Sequence, residues 1–310
     1  MPEIVWALVV IEKLWVRRVC MPTALINGIN IHYEVNGHGF PLVWSHEFGG
    51  NSESWDAQVN FFSRHYQVIT YSARGYPPSD VPSEPGSYSQ DQSVDDLYQL
   101  LQFLGISKAY IGGLSMGGGI ALNMGITHPD IVKGLILAGV GTGSTDPERL
   151  SREATEFAIR IQREGMKEWG KEYAEGPTRV QLRRKDPKTW GNFRRGLMSH
   201  STIGSALTLQ GVQKKRPSIL TLGNVLRNLQ APTLIIVGDE DDPCLEAALF
   251  MKRNIPRSGL VMFPQSGHTV NLEEADLFNK VVSDFLTAVE GGRWEVRCKG
   301  TGLGFMVNSK

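Results

Sequence analysis

Short apolar runs recur along the chain, and between them apolar residues return every three or four positions. Near-continuous apolar runs are typical of strands buried on both faces of a sheet, whereas the longer period is typical of amphipathic helices. Strands alternating with helices predict an α/β protein with a mostly parallel central sheet and helices on both faces. The predicted strands are Ala24–Ile26, Ile29–Glu34, Pro41–Ser45, Gln67–Ser72, Tyr110–Leu114, Val132–Val140, Pro232–Val237 and Leu260–Phe263.

Two predicted helices have clear apolar stripes, one over Val94–Leu104 and one over Leu277–Leu286. Ser93, with Asp96 three residues later, is predicted to cap the first helix at its N-terminus, and Gly105 is predicted to end it. We interpret both stripes as core packing against the sheet.

The alternation of strands and helices breaks in the middle of the chain. The sequence there is rich in charged side chains, is too long for a linker and still has apolar positions at helical spacing. It predicts a helical cap, residues 142–227, inserted into an α/β core formed by residues 22–141 and 228–290.

Both ends of the chain are predicted to lie outside this core. Residues 1–21 contain an apolar run, Ile4–Ile11, that is far too short to span a bilayer. Arg17 and Arg18 follow that run, whereas a signal peptide has its positive charges before the apolar stretch. We interpret residues 1–21 as a dispensable extension, with a peripheral membrane anchor as the alternative, and residues 291–310 as a tail.

Composition narrows the functional classes. The 32 basic and 32 acidic side chains cancel, which gives no indication of a nucleic acid or an anionic membrane as partner. The chain has three cysteines and no paired spacing typical of zinc or of a disulfide framework. A reducing, cytoplasmic compartment fits this cysteine usage best, and the oligomeric state stays open.

The strongest chemical motif is Gly113-Leu114-Ser115-Met116-Gly117, which follows a predicted strand and precedes a helix-like segment. A G-x-S-x-G sequence in that context is typical of a nucleophile elbow, a sharp turn that raises the serine above the sheet. Residues two before and two after the serine crowd each other in such a turn, which favours glycine there. Ser115 is therefore the candidate nucleophile.

A serine hydroxyl needs a base to become nucleophilic near neutral pH. The candidate is His268, because its loop follows a late predicted strand, at the sheet edge where open α/β sheets bind their ligands. Five of the other histidines, His32, His38, His65, His128 and His200, have no such position.

The base in turn needs a carboxylate that fixes its tautomer. The turn after Pro232–Val237 offers four acids, and the residues alone do not choose between them: Asp239, Glu240, Asp241 and Asp242.

An oxyanion hole would complete the site. One donor is expected to be the backbone N–H of Met116, the residue after the nucleophile. The other is expected from the loop after Pro41–Ser45, which reads His46-Glu47-Phe48-Gly49-Gly50.

Together these features resemble the α/β-hydrolase superfamily, and in particular its smaller esterase, enol-lactonase and cofactor-free haloperoxidase-like members. The similarity covers roughly residues 22–290 on the order of the elements. Arg74-Gly75, followed by Ser79-Asp80, is similar to the R-G-x-G-x-S-D turn of the family.

The resemblance implies roles for particular residues. The acid of the family is the third residue after the glycine of the late strand, which is Asp241 here. The oxyanion loop of the family reads His-Gly-x, so His46 matches, Glu47 stands in place of glycine, and Phe48 becomes the second donor residue. Glu47 is a departure that places a carboxylate near the hole.

The predicted function is hydrolysis of a small-molecule carboxylic ester or lactone by Ser115, His268 and Asp241 through an acyl-enzyme, with Phe48 and Met116 forming the oxyanion hole. No cofactor, metal, nucleic acid or membrane is expected to take part. Dehalogenases and epoxide hydrolases of this fold carry aspartate at the elbow, where this chain has serine. The alternatives are a C–C bond hydrolase or a perhydrolase with the same triad, and a non-enzymatic ligand receptor.

A carboxylate beside an oxyanion hole would oppose the charge that forms on the substrate. We therefore expect Glu47 to turn away from the hole toward a basic partner such as Arg74, so that the pair braces the loop carrying Phe48. A solvent-facing Glu47 without a role is the alternative.

Overall fold

A computed structural model describes residues 22–296 of the 310-residue chain. The predictions for residues 1–21, as an extension or an anchor, lie outside the described residues. The same holds for the tail beyond residue 296.

The core is an eight-stranded sheet in the order β1-β2-β4-β3-β5-β6-β7-β8. The first two strands form a hairpin and pair antiparallel with their neighbours, whereas every pair from β4 to β8 is parallel. The strands are β1 Thr23–Ile26, β2 Ile29–Asn36, β3 Phe40–Ser45, β4 Tyr66–Tyr71, β5 Ala109–Leu114, β6 Val132–Ala138, β7 Thr233–Gly238 and β8 Ser258–Phe263.

Eleven α-helices are present in the described part of the chain. They are α1 Asp56–Phe62, α2 Gln90–Phe103, α3 Met116–Thr127, α4 Pro147–Tyr173, α5 Val180–Lys185, α6 Pro187–Ser199, α7 Thr202–Thr208, α8 Gly223–Arg227, α9 Asp242–Asn254, α10 Val270–Glu273 and α11 Ala275–Glu290.

Helices cover both faces of the sheet because side chains alternate along each strand. In β3, Leu42 and Trp44 pack into the apolar cluster that includes α1 and α11, whereas Val43 packs into the larger cluster with α2, α3 and α9. All eight predicted strands are present, and the predicted α/β class is confirmed.

One predicted helix start is wrong. The helix predicted to begin after Ser93 begins at Gln90, and Ser89 is its N-cap, with its side chain accepting a hydrogen bond from the Gln92 amide. Ser93 lies in the first turn and donates its hydroxyl hydrogen to the Ser89 carbonyl. The helix ends as predicted at Gly105, whose φ of +69° is readily adopted by glycine.

The chain between β6 and β7 folds into helices α4–α8 and short turns. We call this segment, residues 142–227, the cap. The long helix α4 packs against α6 and α7, and a kink with a left-handed backbone at Gly165 divides it. Among residues 22–296, no helix is long and apolar enough to cross a membrane.

Candidate active site

The strand order brings the predicted site residues to one edge of the sheet. The loops after β3, β5, β7 and β8 carry Phe48, Ser115, Asp241 and His268, and all four strands run parallel. The carboxyl ends of parallel strands point the same way, so these loops meet at one edge.

Ser115 occupies a strained turn between β5 and α3. Its backbone has φ +54° and ψ −110°, although it is not glycine. A side chain at Gly113 would collide with the backbone of Gly117, and one at Gly117 would collide with the Ser45 carbonyl. Strain of this kind persists only where the surrounding structure imposes it, as the nucleophile-elbow prediction requires.

The two residues predicted to form the oxyanion hole lie on adjacent strand ends. Met116 is the first residue of α3, and the loop with Phe48 follows β3, where Ser45 pairs with Gly113 of β5. Phe48 is buried, and its ring packs edge-on against Tyr76 and against two cap residues, Trp169 and Tyr173. The cap therefore contacts the side chain of a predicted donor residue directly.

His268 and Asp241 form a buried pair, with 2.7 Å between Nδ1 and Oδ2. Burial alone would raise the pKa of Asp241, but the adjacent His268 side chain, together with Cys244 and Arg179, outweighs it and holds that pKa below its usual range. An ionised Asp241 accepts the Nδ1 hydrogen, which leaves Nε2 as the proton acceptor that a general base needs.

The structure also separates Asp241 from the other acids of its turn. Asp239 and Asp242 are exposed, and Glu240 accepts a hydrogen bond from Gln181 of α5. Among the four acids left open by the sequence, Asp241 is the one that contacts His268.

Three successive backbone amides hold the loop of His268. The amides of Gly267 and Thr269 donate to the two carboxylate oxygens of Glu273, at 2.7 and 3.0 Å, and the His268 amide donates to the carbonyl of Thr178 in the cap at 2.9 Å. The sequence analysis missed Glu273. Its position, five residues after a candidate base and in the first turn of a helical segment, is the signal that could have found it.

A cavity of about 610 Å³ connects these groups. Ser115, Asp241, His268 and Phe48 line it together with cap residues from α4 and from the turn before α5. Among residues 22–296, no side-chain hydrogen bond joins Ser115 to His268, although both residues line the cavity. Catalytic hydrogen bonds are often long in unliganded sites and shorten when substrate binds.

One group in residues 22–296 has the spacing of metal ligands: the side-chain atoms of Asp241, Cys244 and His268 lie within 4.8 Å of one another. Two of the three already bind each other. Cys244 donates to the Gly139 carbonyl at 3.3 Å, and burial raises the pKa of its thiol. A protonated thiol is a weak ligand, so these residues are better explained as a hydrogen-bonded support of the acid.

Glu47 does not have the predicted partner. It is buried and binds Arg179 of the cap, with both of its oxygens accepting from the guanidinium at 2.8 and 2.6 Å. Arg74 instead binds Asp96 of α2. The expectation that Glu47 pairs with a basic side chain is confirmed. The choice of Arg74 as that partner and the solvent-facing alternative are both wrong.

The Glu47–Arg179 pair joins the oxyanion loop to the cap. The Arg179 guanidinium is also held by the Tyr173 hydroxyl at 3.0 Å, and it lies over the Tyr173 and Phe193 rings. Burial alone would raise the pKa of Glu47, but Arg179, together with His268 and His46, outweighs it and keeps that pKa below its usual value. The carboxylate is therefore ionised and neutralised, although it adjoins Phe48.

His46 fixes the same loop from the opposite side. Its Nδ1 donates to the Glu47 carbonyl at 2.7 Å, and its Nε2 accepts from the Ala73 amide at 2.9 Å. Burial lowers the pKa of His46 to about 4, so the ring is neutral and both bonds persist near neutral pH.

Replacing Glu47 by glutamine is expected to lower kcat by about tenfold with little change in KM. The reason is that the brace positions an oxyanion donor, and such a donor acts mainly in the transition state. Removing one member of a buried ion pair also typically costs about 3–5 kcal/mol of the free energy of unfolding. Steady-state kinetics and denaturant unfolding of Glu47→Gln measure the two effects.

Glu53→Gln is the matched control, because Glu53 is exposed and lies nearby in the chain. The double variant Glu47→Gln/Arg179→Gln removes both charges and is expected to recover stability more than activity. Equal kcat values for the Glu47 and Glu53 variants would contradict the bracing role.

Comparison with known proteins finds similarity over most of the chain. The family described as "alpha/beta hydrolase fold" matches residues 38–275. A putative 2-succinyl-6-hydroxy-2,4-cyclohexadiene-1-carboxylate synthase of Bacillus subtilis is 28% identical over 253 residues, which are 80% of this chain and 90% of that protein. The 2-hydroxymuconate semialdehyde hydrolase of Pseudomonas putida is 29% identical over 265 residues, covering 84% and 91%.

Among solved structures, a thermophilic esterase from Thermogutta terrifontis superposes with a TM-score of 0.75 at 28% identity. The superposition covers 86% of this chain and 97% of the esterase.

Proposed function

This chain belongs to the α/β-hydrolase fold family and is a hydrolase, and from that premise we propose that it cleaves carboxylic esters or lactones through an acyl-enzyme on Ser115. The observation that carries the proposal is the strained Ser115 backbone at the rim of the cavity that also contains the buried His268–Asp241 pair.

The proposed reaction has two halves. Ser115 Oγ attacks the carbonyl carbon while His268 Nε2 takes its proton, and the same proton then passes to the leaving alcohol as the ester C–O bond breaks. Water next attacks the acyl-enzyme, with His268 as base, and releases the acid and free serine. The Phe48 and Met116 amides stabilise the oxyanion in both halves, and Asp241 keeps His268 in the productive tautomer.

Ester cleavage has the support of the Thermogutta terrifontis esterase, whose fold this chain shares over most of its length. A second candidate, hydrolysis of a C–C bond, is favoured by the 29% identity to the 2-hydroxymuconate semialdehyde hydrolase of Pseudomonas putida. The two reactions use the same types of residue and differ in the bond presented to the serine.

Pre-steady-state kinetics with p-nitrophenyl butyrate test the proposal. We expect a burst of nitrophenolate equal to the concentration of enzyme, because an acyl-enzyme releases the alcohol before the acid and this activated ester acylates the serine faster than water deacylates it. Mass spectrometry of the acid-quenched protein should find the butyryl group on the peptide that contains Ser115. Turnover of a vinylogous 1,5-diketone acid, with no turnover of any ester or lactone in a panel, would favour the C–C hydrolase instead.

A further inference from the structure

Three arginines of the described residues line the cavity, and the guanidinium groups of two of them have carboxylate partners. Arg179 is held by Glu47, and Arg160 by Glu164 and Glu172. The third, Arg216, is partly buried, and no carboxylate of residues 22–296 lies within 4.0 Å of it. Its hydrogen bond in this part of the chain goes from Nη2 to the neutral carbonyl of Thr142, at 2.7 Å.

The carboxylates that line the cavity already bind other side chains. Glu153, Glu172 and Glu175 have exposed side chains and pair with Arg149, Arg160 and Arg183 respectively, and Asp241 is bound to His268. None of them neutralises Arg216. Burial also lowers the pKa of Arg216 below its ordinary value, although an arginine stays protonated near neutral pH.

A neutral side-chain amide lies three residues before Arg216, at the end of a short helical segment, Leu209–Gln213. Gln213 is buried and lines the same cavity, and no hydrogen bond to its side-chain amide is present among residues 22–296. Charged groups removed from water are normally paired with an opposite charge, so an arginine with no carboxylate partner, beside an amide with no hydrogen-bond partner among these residues, points to an anion supplied from outside the chain.

We propose that Arg216 and Gln213 bind a carboxylate group of the substrate, which makes the preferred substrates anionic esters or lactones. A guanidinium matches the two oxygens of a carboxylate, and one positive charge beside a neutral amide balances one negative charge. This inference rests on the proposed function, because it assigns a substrate class to the cavity of Ser115.

Matched esters measure the preference. The monoethyl esters of succinate, glutarate and adipate carry a terminal carboxylate. Each is compared with a neutral ethyl ester in which an isopropyl group of similar shape replaces that carboxylate. The butyrate ester of glycolate carries the carboxylate on the alcohol side, and the butyrate ester of isobutanol is its neutral match. We expect kcat/KM to be about 10–100-fold higher for the anionic member of at least one pair, the size of a hydrogen bond to a charged group.

The variants Arg216→Gln and Arg216→Lys assign that preference to the residue. Arg216→Gln is expected to bring the ratio of anionic to neutral kcat/KM close to one, and Arg216→Lys to keep part of it. Arg160→Gln, which removes a cavity arginine that already has partners, is the control and should keep the ratio. An Arg216 that only braced Thr142 would change both esters equally and leave the ratio as it was, which would overturn the proposal.

Calorimetry separates this proposal from the proposed function. Glutarate and adipate should bind to the wild-type protein, and Arg216→Gln should raise Kd by about tenfold or more. If the wild-type protein binds the diacids through Arg216 but hydrolyses none of the esters, the ester hydrolase proposal ends and the anion-site proposal stays. Ester turnover without a preference for the anionic esters, and without binding of the diacids by the wild-type protein, would end the anion-site proposal and keep the ester hydrolase proposal. This outcome is measured on the wild-type protein and does not depend on the folding of any variant.

Discussion

Replacing Ser115 by alanine is expected to abolish ester hydrolysis in a protein that stays folded, with kcat falling by about 10⁴–10⁶-fold. The hydroxyl is the atom that would attack the carbonyl, and no other group of the site can replace it. The fold should be kept because alanine has the same Cβ as serine and adds no clash at a backbone φ of +54°. Kinetics with p-nitrophenyl butyrate and thermal unfolding measure the two outcomes.

Ser205→Ala is the matched control, since Ser205 is a buried cap serine whose hydroxyl has no hydrogen-bond partner in the described structure. It should keep normal turnover. A folded Ser115→Ala protein that retained most of its activity would end the serine hydrolase proposal, whichever bond the enzyme cleaves.

The second large effect is expected for Asp241→Asn, which should lower kcat by about 10⁴-fold. A carboxylate accepts the Nδ1 hydrogen of His268, whereas an amide can donate to Nδ1 and stabilise the other tautomer, with the hydrogen on Nε2. That tautomer cannot take the proton of Ser115. The substitution keeps the size of the side chain, so the buried pair, 2.7 Å apart in the wild type, is expected to pack normally.

Asp239→Asn and Asp242→Asn provide the comparison within the same turn. Both side chains are exposed, and Asp239 only accepts a hydrogen bond from the Ser266 amide at 3.2 Å. Their kcat values should stay within a few-fold of wild type, as usual for exposed sites. A severe loss in Asp242→Asn together with a mild one in Asp241→Asn would move the acid to the other position.

The fold and the convergence of the site residues were predictable because they depend on local signals. Apolar runs mark buried strands, and the glycines around Ser115 are required by close backbone contacts that any elbow makes. The helix before Gly105 shows the limit of such signals. Ser89 and Ser93 are equally suited to cap it, and the residues between them, Gln90–Gln92, carry no apolar period that would decide.

The partner of Glu47 was not predictable, because it depends on how the cap docks. Arg179 lies 132 residues away in sequence, and no period or motif relates the two positions. Arg74 was the expected partner because its Arg-Gly turn follows the neighbouring strand, but in the structure Arg74 binds Asp96. The partners of Glu273 were hard to predict as well, since two of its three hydrogen bonds come from backbone amides, which any sequence would supply, and the third from the Thr269 hydroxyl.

Two adjacent cap residues support the two catalytic loops. Thr178 accepts a hydrogen bond from the His268 amide, and Arg179 binds Glu47 in the loop of Phe48. The cap is therefore not an interchangeable module. A chimera that received foreign helices in place of residues 142–227 would lose a support of the base and a support of the oxyanion loop at once, even if its core folded perfectly. New substrate pockets can arise by changes in α4, whose residues line the cavity, whereas the turn that leads into α5 supports the loops of His268 and Phe48.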